Sequence, residues 1–353
     1  MSRDFWRGRR VFVTGHTGFK GSWLALWLQG AGAQVHGYAL EAPSPGLFDA
    51  AGVAAGMASH TLGDVRDPAA LQRALAAARP EVVFHLAAQS LVRRSYAEPV
   101  ETYAVNVLGT VNLLEALRGC DSVRAVVNVT TDKCYENREW AWGYRENEAL
   151  GGRDPYSSSK ACAELVTAAY RESFLAARGV AVASARAGNV IGGGDWAADR
   201  LLPDFFRAQA QGHALAVRHP DAVRPWQHVL EPLAGYLLLA QRLIEHGNEY
   251  AGAFNFGPAD DDAKPVRWVL DQLVALAPGA HWQIDPGPRV HEAHHLKLDS
   301  SKARSKLGWA PVWNLATALA RTLEWQRAFD AGRDVRALCL AQIDAHQAAG
   351  VAT

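Results

Sequence analysis

Short apolar runs alternate with helix-length segments through the first half of this chain, and that alternation admits few folds. Val11-Phe12-Val13, Gln34 to Leu40, Thr61 to Val65, Val82 to Leu86, Ala125 to Val129 and Val180 to Ala187 each read as a strand. The first interval carries Phe19, Trp23, Leu26 and Trp27 at helical spacing. Strands joined by long crossovers pair in parallel, and a parallel sheet needs helices on both faces. The expected class is therefore α/β, a doubly wound parallel sheet. Asp67-Pro68 marks one helix start, with Asp67 as N-cap and Pro68 in the first helical position. Beyond Gly188 the pattern changes. Gly192-Gly193-Gly194-Asp195 cannot hold regular structure, so it reads as a boundary or a ligand loop. Ala253-Phe254-Asn255-Phe256 looks like one more strand, so the chain returns to its sheet.

At 353 residues the chain suits one large domain with a smaller lobe. Lys+Arg and Asp+Glu each total 36, so the formal net charge is zero. Nucleic acid and anionic membranes call for a cationic excess, so neither is an expected partner. A local basic pocket for a small phosphorylated ligand remains compatible with neutrality. No apolar run approaches the ~20 residues that span a bilayer. Met1 to Trp6 shows no signal-peptide core. Cys120, Cys134, Cys162 and Cys339 are scattered and form no CxxC pair, which reads as reduced thiols. The expected location is the cytoplasm. The triplet Asn128-Val129-Thr130 fits a glycosylation site formally, but it lies inside a strand pattern.

The first strand runs into Thr14-Gly15-His16-Thr17-Gly18-Phe19-Lys20-Gly21 and then a helix. Glycines there permit a tight turn and let backbone N–H groups approach a pyrophosphate at the helix N-terminus. A glycine triplet alone is weak evidence, since a plain strand-to-helix turn can use one. Its place after the first strand makes a Rossmann-type dinucleotide site the expected reading, with Gly15 to Gly21 as ligands. Asp64-Val65, after the third strand, are candidates for the adenine edge. An arginine after the second strand would suit the 2′-phosphate of NADP, yet none occurs between Val11 and Val65. Glu41 sits a little late to grip a ribose. NAD is favoured, with NADP left open.

Tyr156 and Lys160 are four apart, on one face of a helix opened by Asp154-Pro155. A nearby ammonium and an oxidised nicotinamide both lower a phenol pKa, which makes Tyr156 a candidate base. Tyr-x-x-x-Lys also occurs by chance on surface helices, so its position after the fifth strand carries the weight. That strand ends Val129-Thr130-Thr131-Asp132-Lys133-Cys134-Tyr135. Groups at the C-terminal end of a strand in an open α/β sheet face the ligand crevice. Asp132 and Lys133 are thus a candidate acid/base pair, against the alternative of a surface salt bridge.

The Thr-Gly-x-x-Gly-x-x-Gly turn, Tyr156, Lys160 and Thr131 together resemble the extended short-chain dehydrogenase/reductase superfamily. Thr131-Asp132-Lys133 resembles its sugar-nucleotide 4,6-dehydratases, whose motif is Thr-Asp followed by Glu or Lys. Longer stretches are similar to the members that take CDP-glucose: Gly15 to Leu24, Thr131 to Trp142, Asp154 to Lys160, Gly188 to Trp196, and Arg224-Pro225-Trp226-Gln227-His228. The similarity covers roughly residues 10 to 325.

The resemblance implies a redox-neutral lyase that converts a glucosyl nucleotide to its 4-keto-6-deoxy form. Tyr156 would take the proton of the 4-hydroxyl, Thr131 would bond that oxygen, and Lys160 would hold the ribose. Lys133 would remove the C5 proton and Asp132 would protonate the departing 6-hydroxyl; Glu136 is the alternative C5 base. Asn189 and Arg224 would reach the diphosphate, with Arg200 and Arg218 as further candidates. Gln89, after Leu86-Ala87-Ala88, and Asn106 would border the nicotinamide end. The implied division is residues 1–188 for the dinucleotide, with returns near 225–258, and residues 189–224 and 259–353 for the substrate lobe. The helices spanning roughly Pro99 to Leu117 and Ser157 to Arg178 would form a homodimer or tetramer.

Other readings remain. A sugar-nucleotide 4-epimerase would share Tyr156 and Lys160 but has no use for Asp132 and Lys133. A non-catalytic dinucleotide sensor would need none of them. His291-Glu292-Ala293-His294-His295 matches HExxH, but Pro286-Gly287-Pro288 precedes it and a strand-like run follows, whereas zinc proteases need a helix there. No metal is expected. Trp140, Trp142, Trp196 and Trp226 lie near the motifs and read mainly as packing groups. Cys134 reads as a buried thiol.

Overall fold

The computed structural model describes residues 3–285 and 296–351. The HExxH segment and the prolines before it lie outside these residues. Seven strands form the central sheet: β1 (Arg10–Thr14), β2 (Gln34–Ala39), β3 (Ser59–Leu62), β4 (Val82–His85), β5 (Ala125–Val129), β6 (Ala181–Arg186) and β7 (Gly252–Asn255). Their spatial order is β7-β6-β5-β4-β1-β2-β3, and each neighbouring pair is parallel. This is the doubly wound Rossmann-type sheet expected from the alternation. The order reverses direction between β1 and β4, which opens a crevice at their C-terminal ends.

Side chains alternate across the sheet and so supply two cores. Val11 and Val13 face one side, where Trp23 and Trp27 of α1 (Phe19–Gly30) pack. Phe12 faces the other, against Leu71 and Leu75 of α2 (Pro68–Ala78) and Leu113 and Leu117 of α3 (Gly109–Arg118). Each large side chain buried this way contributes about 1.5–3 kcal/mol. Asp67 caps α2 as expected, accepting from the Ala70 N–H at 2.9 Å.

The third strand differs from the sequence reading. It ends at Leu62, and Gly63 to Val65 lie beyond it. The ladder runs out because β2 ends at Ala39, which pairs with Leu62. The Tyr38 ring then covers Gly63, and its hydroxyl donates to the Asp64 carbonyl at 2.9 Å.

Two long helices close the sheet side, α4 (Pro155–Tyr170) and α5 (Leu230–His246). A smaller lobe has its own core of Phe205, Trp226, Leu270, Leu273 and Leu319. The strand-like run after the HExxH segment is an isolated bridge from Leu298 to Tyr144 rather than a strand. Among the described residues no helix is long and apolar enough to cross a membrane.

Candidate active site

A cleft of about 1520 Å³ runs along the C-terminal ends of the strands, between sheet and lobe. Its floor begins at the turn after β1. Gly15 has φ +72°, and a Cβ there would lie 2.7 Å from the Ala87 nitrogen. The turn therefore sits closer to the β4 loop than any side chain permits. Thr14, the first residue of the motif, locks that junction. Its hydroxyl bonds His85 Nδ1 at 2.7 Å and accepts from the Leu86 and Ala87 N–H groups at 3.1 and 3.2 Å. Burial pushes the His85 imidazole down to about 3, with Lys160 adding to it, so His85 stays neutral. Gly18 caps α1 without a side-chain bond, which leaves first-turn N–H groups beside the cleft. The donors and the space fit a dinucleotide pyrophosphate.

Not every expected ligand lines the cleft. His16 turns behind the glycine loop, where its Nε2 meets His60 Nδ1 at 2.7 Å and its ring packs on Phe48. Burial, then His60, pushes that imidazole down to about 4. Gln89 and Asn106 also sit outside the cleft lining. Asn106 accepts from the Gln89 N–H at 2.9 Å and donates to the Gln89 carbonyl and to Ser159 at 3.0 and 2.9 Å. The pair ties the β4 loop to α4. Asp64 and Val65 do line the cleft, as do Leu86, Ala87 and Ala88. Asp64 is held by Arg66 at 2.9 Å, which keeps its carboxyl below the usual range.

The motif residues converge at the end of β5. Thr131 is extended and caps the turn Asp132–Cys134; its hydroxyl donates to Asp132 Oδ1 at 3.0 Å and accepts from the Lys133 N–H at 3.3 Å. α4 begins at Pro155 because Asp154 accepts from the Ser157 N–H at 2.9 Å. That start aims Tyr156 at Thr131. Burial pushes the Tyr156 phenol up to about 12, while the Thr131 hydrogen bond opposes it. Lys160, one turn on, donates to the Val129 carbonyl at 3.3 Å, and burial pushes it down to about 8. Lys20 enters from α1; burial and the charges of Arg200 and Lys160 push it down to about 7, with Asp132 and Asp195 opposing. Asp132 is 1% exposed, and a Cβ on Gly188 would collide with its carboxylate. Gly188, which opens one of the stretches that carry the resemblance, thus leaves room for the Asp132 carboxylate.

Behind these groups lies a buried network the sequence did not reveal. Glu164 of α4 accepts from Thr130, from Ser184 at 2.6 Å and from Arg186 at 2.8 Å. Arg186 also donates to the Tyr135 hydroxyl at 2.7 Å, which donates to Asn255 at 2.7 Å. Burial works to raise the Glu164 carboxyl, but Arg186 holds it below the usual range.

On the lobe side, Asn189, Arg200, Arg218 and Arg224 all line the cleft. Asn189 has φ +46°, a left-handed conformation that asparagine tolerates better than most residues. Arg224 is buried to 4% exposure and donates to the Val223 carbonyl at 3.0 Å. Arg200 reaches Asp195 at 2.8 Å and Ser90 at 3.1 Å, bridging lobe and sheet. Arg200, Arg218 and Arg224 line the cleft together with Asp195, Asp199 and Asp204. Trp196 and Trp226 line the cleft, whereas Trp140 stacks on Tyr144 outside it, centroids 5.4 Å apart. Cys134 is buried, and burial pushes its thiol up. The described residues hold no cluster of three or more His, Cys, Asp or Glu able to bind a metal.

Comparison with known proteins agrees with this geometry. The family model of GDP-mannose 4,6 dehydratase matches residues 12–322. A CDP-glucose 4,6-dehydratase of Salmonella typhimurium is 54% identical over 342 residues, 95% of each chain. Among solved structures, MoeE5 in complex with UDP-glucose and NAD superposes with TM-score 0.75 at 25% identity, covering 90% of this chain and 98% of that one. A double mutant of DesIV, the dTDP-glucose 4,6-dehydratase of Streptomyces venezuelae solved with NAD bound, gives TM-score 0.76 at 25% identity over 92% and 99%. By the extent of these matches, the chain belongs to the GDP-mannose 4,6 dehydratase family, the sugar-nucleotide 4,6-dehydratases of the extended short-chain dehydrogenase/reductase superfamily.

Proposed function

We propose that this protein is an NAD-dependent lyase that converts CDP-D-glucose to CDP-4-dehydro-6-deoxy-D-glucose, with net internal transfer of hydride from C4 to C6. The observation that carries the reading is the 54% identity across 95% of a CDP-glucose 4,6-dehydratase, joined to Thr131, Asp132, Lys133, Tyr156 and Lys160 lining one cleft. The Gly15 to Gly21 turn would hold NAD, which when bound would supply the hydride acceptor and donor. NAD rather than NADP is supported by the edge after β2, where Ala39, Leu40 and Pro43 line the cleft and offer no cation to a 2′-phosphate.

The chain's own groups handle the protons. Tyr156 takes the proton of the 4-hydroxyl while Thr131 bonds the same oxygen. The resulting 4-ketone acidifies the C5 hydrogen, which Lys133 removes. Asp132 protonates the 6-hydroxyl as it leaves as water. Lys160 holds the ribose, and Asn189, Arg200, Arg218 and Arg224 hold the diphosphate in the lobe. The dinucleotide then belongs to residues 1–188 with returns near 225–258, and the sugar nucleotide to residues 189–224 and 259–353. Free cysteines at 120, 134, 162 and 339 support a cytoplasmic home. Exposed Val100, Leu108, Leu165 and Phe174 on the helices around α3 and α4 support a homodimer or tetramer through that face.

Proton NMR of CDP-glucose incubated with the enzyme and NAD tests the reaction. The expected result is a new C6 methyl doublet, with deuterium entering C5 in heavy water. A C4 epimer without a methyl signal would make the protein an epimerase instead. A methyl product from a UDP-, dTDP- or GDP-sugar but not from CDP-glucose would keep the mechanism and change the substrate.

A further inference from the structure

The two carboxylate oxygens of Asp132 have different surroundings. Oδ1 takes the Thr131 hydroxyl at 3.0 Å. Oδ2 has no exposed surface and no hydrogen-bond partner, and it lies hard against Gly188. A buried carboxylate oxygen calls for a donor. A short chain of contacts leads from it to a second unfilled group. The Gln227 amide donates to the Gly188 carbonyl at 3.4 Å and to the Phe256 carbonyl at 2.8 Å. The Phe256 ring meets Tyr236 edge-on, with centroids 5.6 Å apart. Tyr236, on α5, is wholly buried and its hydroxyl has no partner. The charges it feels most are those of Tyr156 and Asp132, and burial pushes its phenol up, so it remains a donor.

We infer that Tyr236 is a positioning residue for Asp132: its hydroxyl donates across one water to the inward oxygen of the carboxylate as Asp132 gives up its proton. This rests on the reading of Asp132 as the acid of the elimination. In that step the C5 proton goes to Lys133 and the C6–O bond breaks. The bonding pair leaves with oxygen, and the Asp132 proton completes a water molecule. Negative charge builds on Asp132 in that step, so a fixed donor behind it favours the transition state over the ground state. Other groups also face this carboxyl: Lys20 from α1, Tyr156 from α4, and Lys133 and Cys134 on its own turn. They stay in place when Tyr236 alone is altered. Gln227 Oε1, also buried and unfilled, is the competing acceptor for the same hydroxyl.

Tyr236→Phe keeps the ring and removes the donor. The expected result is a basic limb of the kcat–pH profile moved up by about one unit and a kcat about ten-fold lower at neutral pH, with KM within about two-fold. The first oxidation, read in a single turnover as reduced cofactor forms, keeps its rate while the later decay slows. Carbon-13 titration of the Asp132 carboxyl, assigned as the signal lost in Asp132→Asn, moves up by about one unit. That titration needs no sugar nucleotide, so it decides the contact even if the proposed substrate is wrong. Difluorotyrosine at 236 is a stronger donor of similar shape, and it should move both readouts down. A folded Tyr236→Phe protein with an unmoved limb and an unmoved Asp132 titration would overturn the inference and assign the hydroxyl to Gln227.

Discussion

Lys20 shows how one side chain couples stability to binding. It stands in the first turn of α1, and its ammonium meets Arg200 and Lys160 in a buried setting. An amine held at about 7, against 10.5 in the open chain, binds fewer protons folded than unfolded throughout that window. Stability therefore rises with pH between about 7 and 10.5, and the full penalty stands below about 7. Lys160, pushed down to about 8, acts in the same sense over a narrower window. Replacing Lys20 with Met should stabilise the protein without ligand at pH 6.5, and that gain should shrink by pH 9.5. Urea unfolding at the two pH values measures it. Equal destabilisation at both would show that Lys20 is held by packing rather than tolerated for its charge. An amine so placed would recover its proton beside the diphosphate of the proposed NAD, so the same variant should weaken NAD binding. The sequence shows Lys20 in the glycine turn, which lines the cleft, but nothing in the turn announces that its amine shares a pocket with Asp132 and Asp195.

Helix α4 carries two kinds of information on one face, and only one is local. Asp154, Pro155, Tyr156 and Lys160 fall within seven positions, so the sequence displays both the cap and the reactive pair. Glu164 comes one turn later and reads as any helical glutamate. Its partners, Thr130 just past β5 and Ser184 and Arg186 on β6, are far apart in sequence, and no spacing rule links them. The same reason hid Tyr236 and the fit of Gly188 against Asp132. Strand β5 was legible to the residue because four apolar positions around Asn128 end at a polar motif. Strand β3 was not, because its end is set by where β2 stops pairing. The buried pair itself makes a testable demand. Arg186→Met leaves Glu164 charged and unpaired, which should cost about 3–5 kcal/mol in urea unfolding. Replacing both residues with apolar groups of similar volume should recover much of that loss. A single variant as stable as the parent would show that water reaches the pair, against its 4% exposure.

The whole molecule joins a sheet that holds the dinucleotide turn to a lobe that presents arginines, with the reaction groups between them. Arg200 and the Arg93–Asp199 pair, 2.5 Å apart, tie the two sides across the cleft mouth. Such a cleft works only if its far wall is rigid, and that wall is α4, whose outer face is unusually apolar. Leu165 is 59% exposed there, beside Leu108 at 57% and Val100 at 82% on the neighbouring helical segment. Isolated apolar side chains on a surface need no explanation, but a contiguous patch on two packed helices does. A second copy of the same face would bury it and would brace Tyr156 and Lys160 from behind, since they sit on the inner side of the same helix. The pair Leu108→Lys and Leu165→Lys places like charges across such a two-fold contact and should give monomers by light scattering at micromolar concentration, where the parent is expected to be a dimer or tetramer. If α4 is braced by its partner, the monomer should keep its circular dichroism yet lose activity mainly in kcat. A parent protein that is already monomeric would leave the patch without this role, and unchanged kcat in the monomer would show that α4 holds its catalytic face unaided.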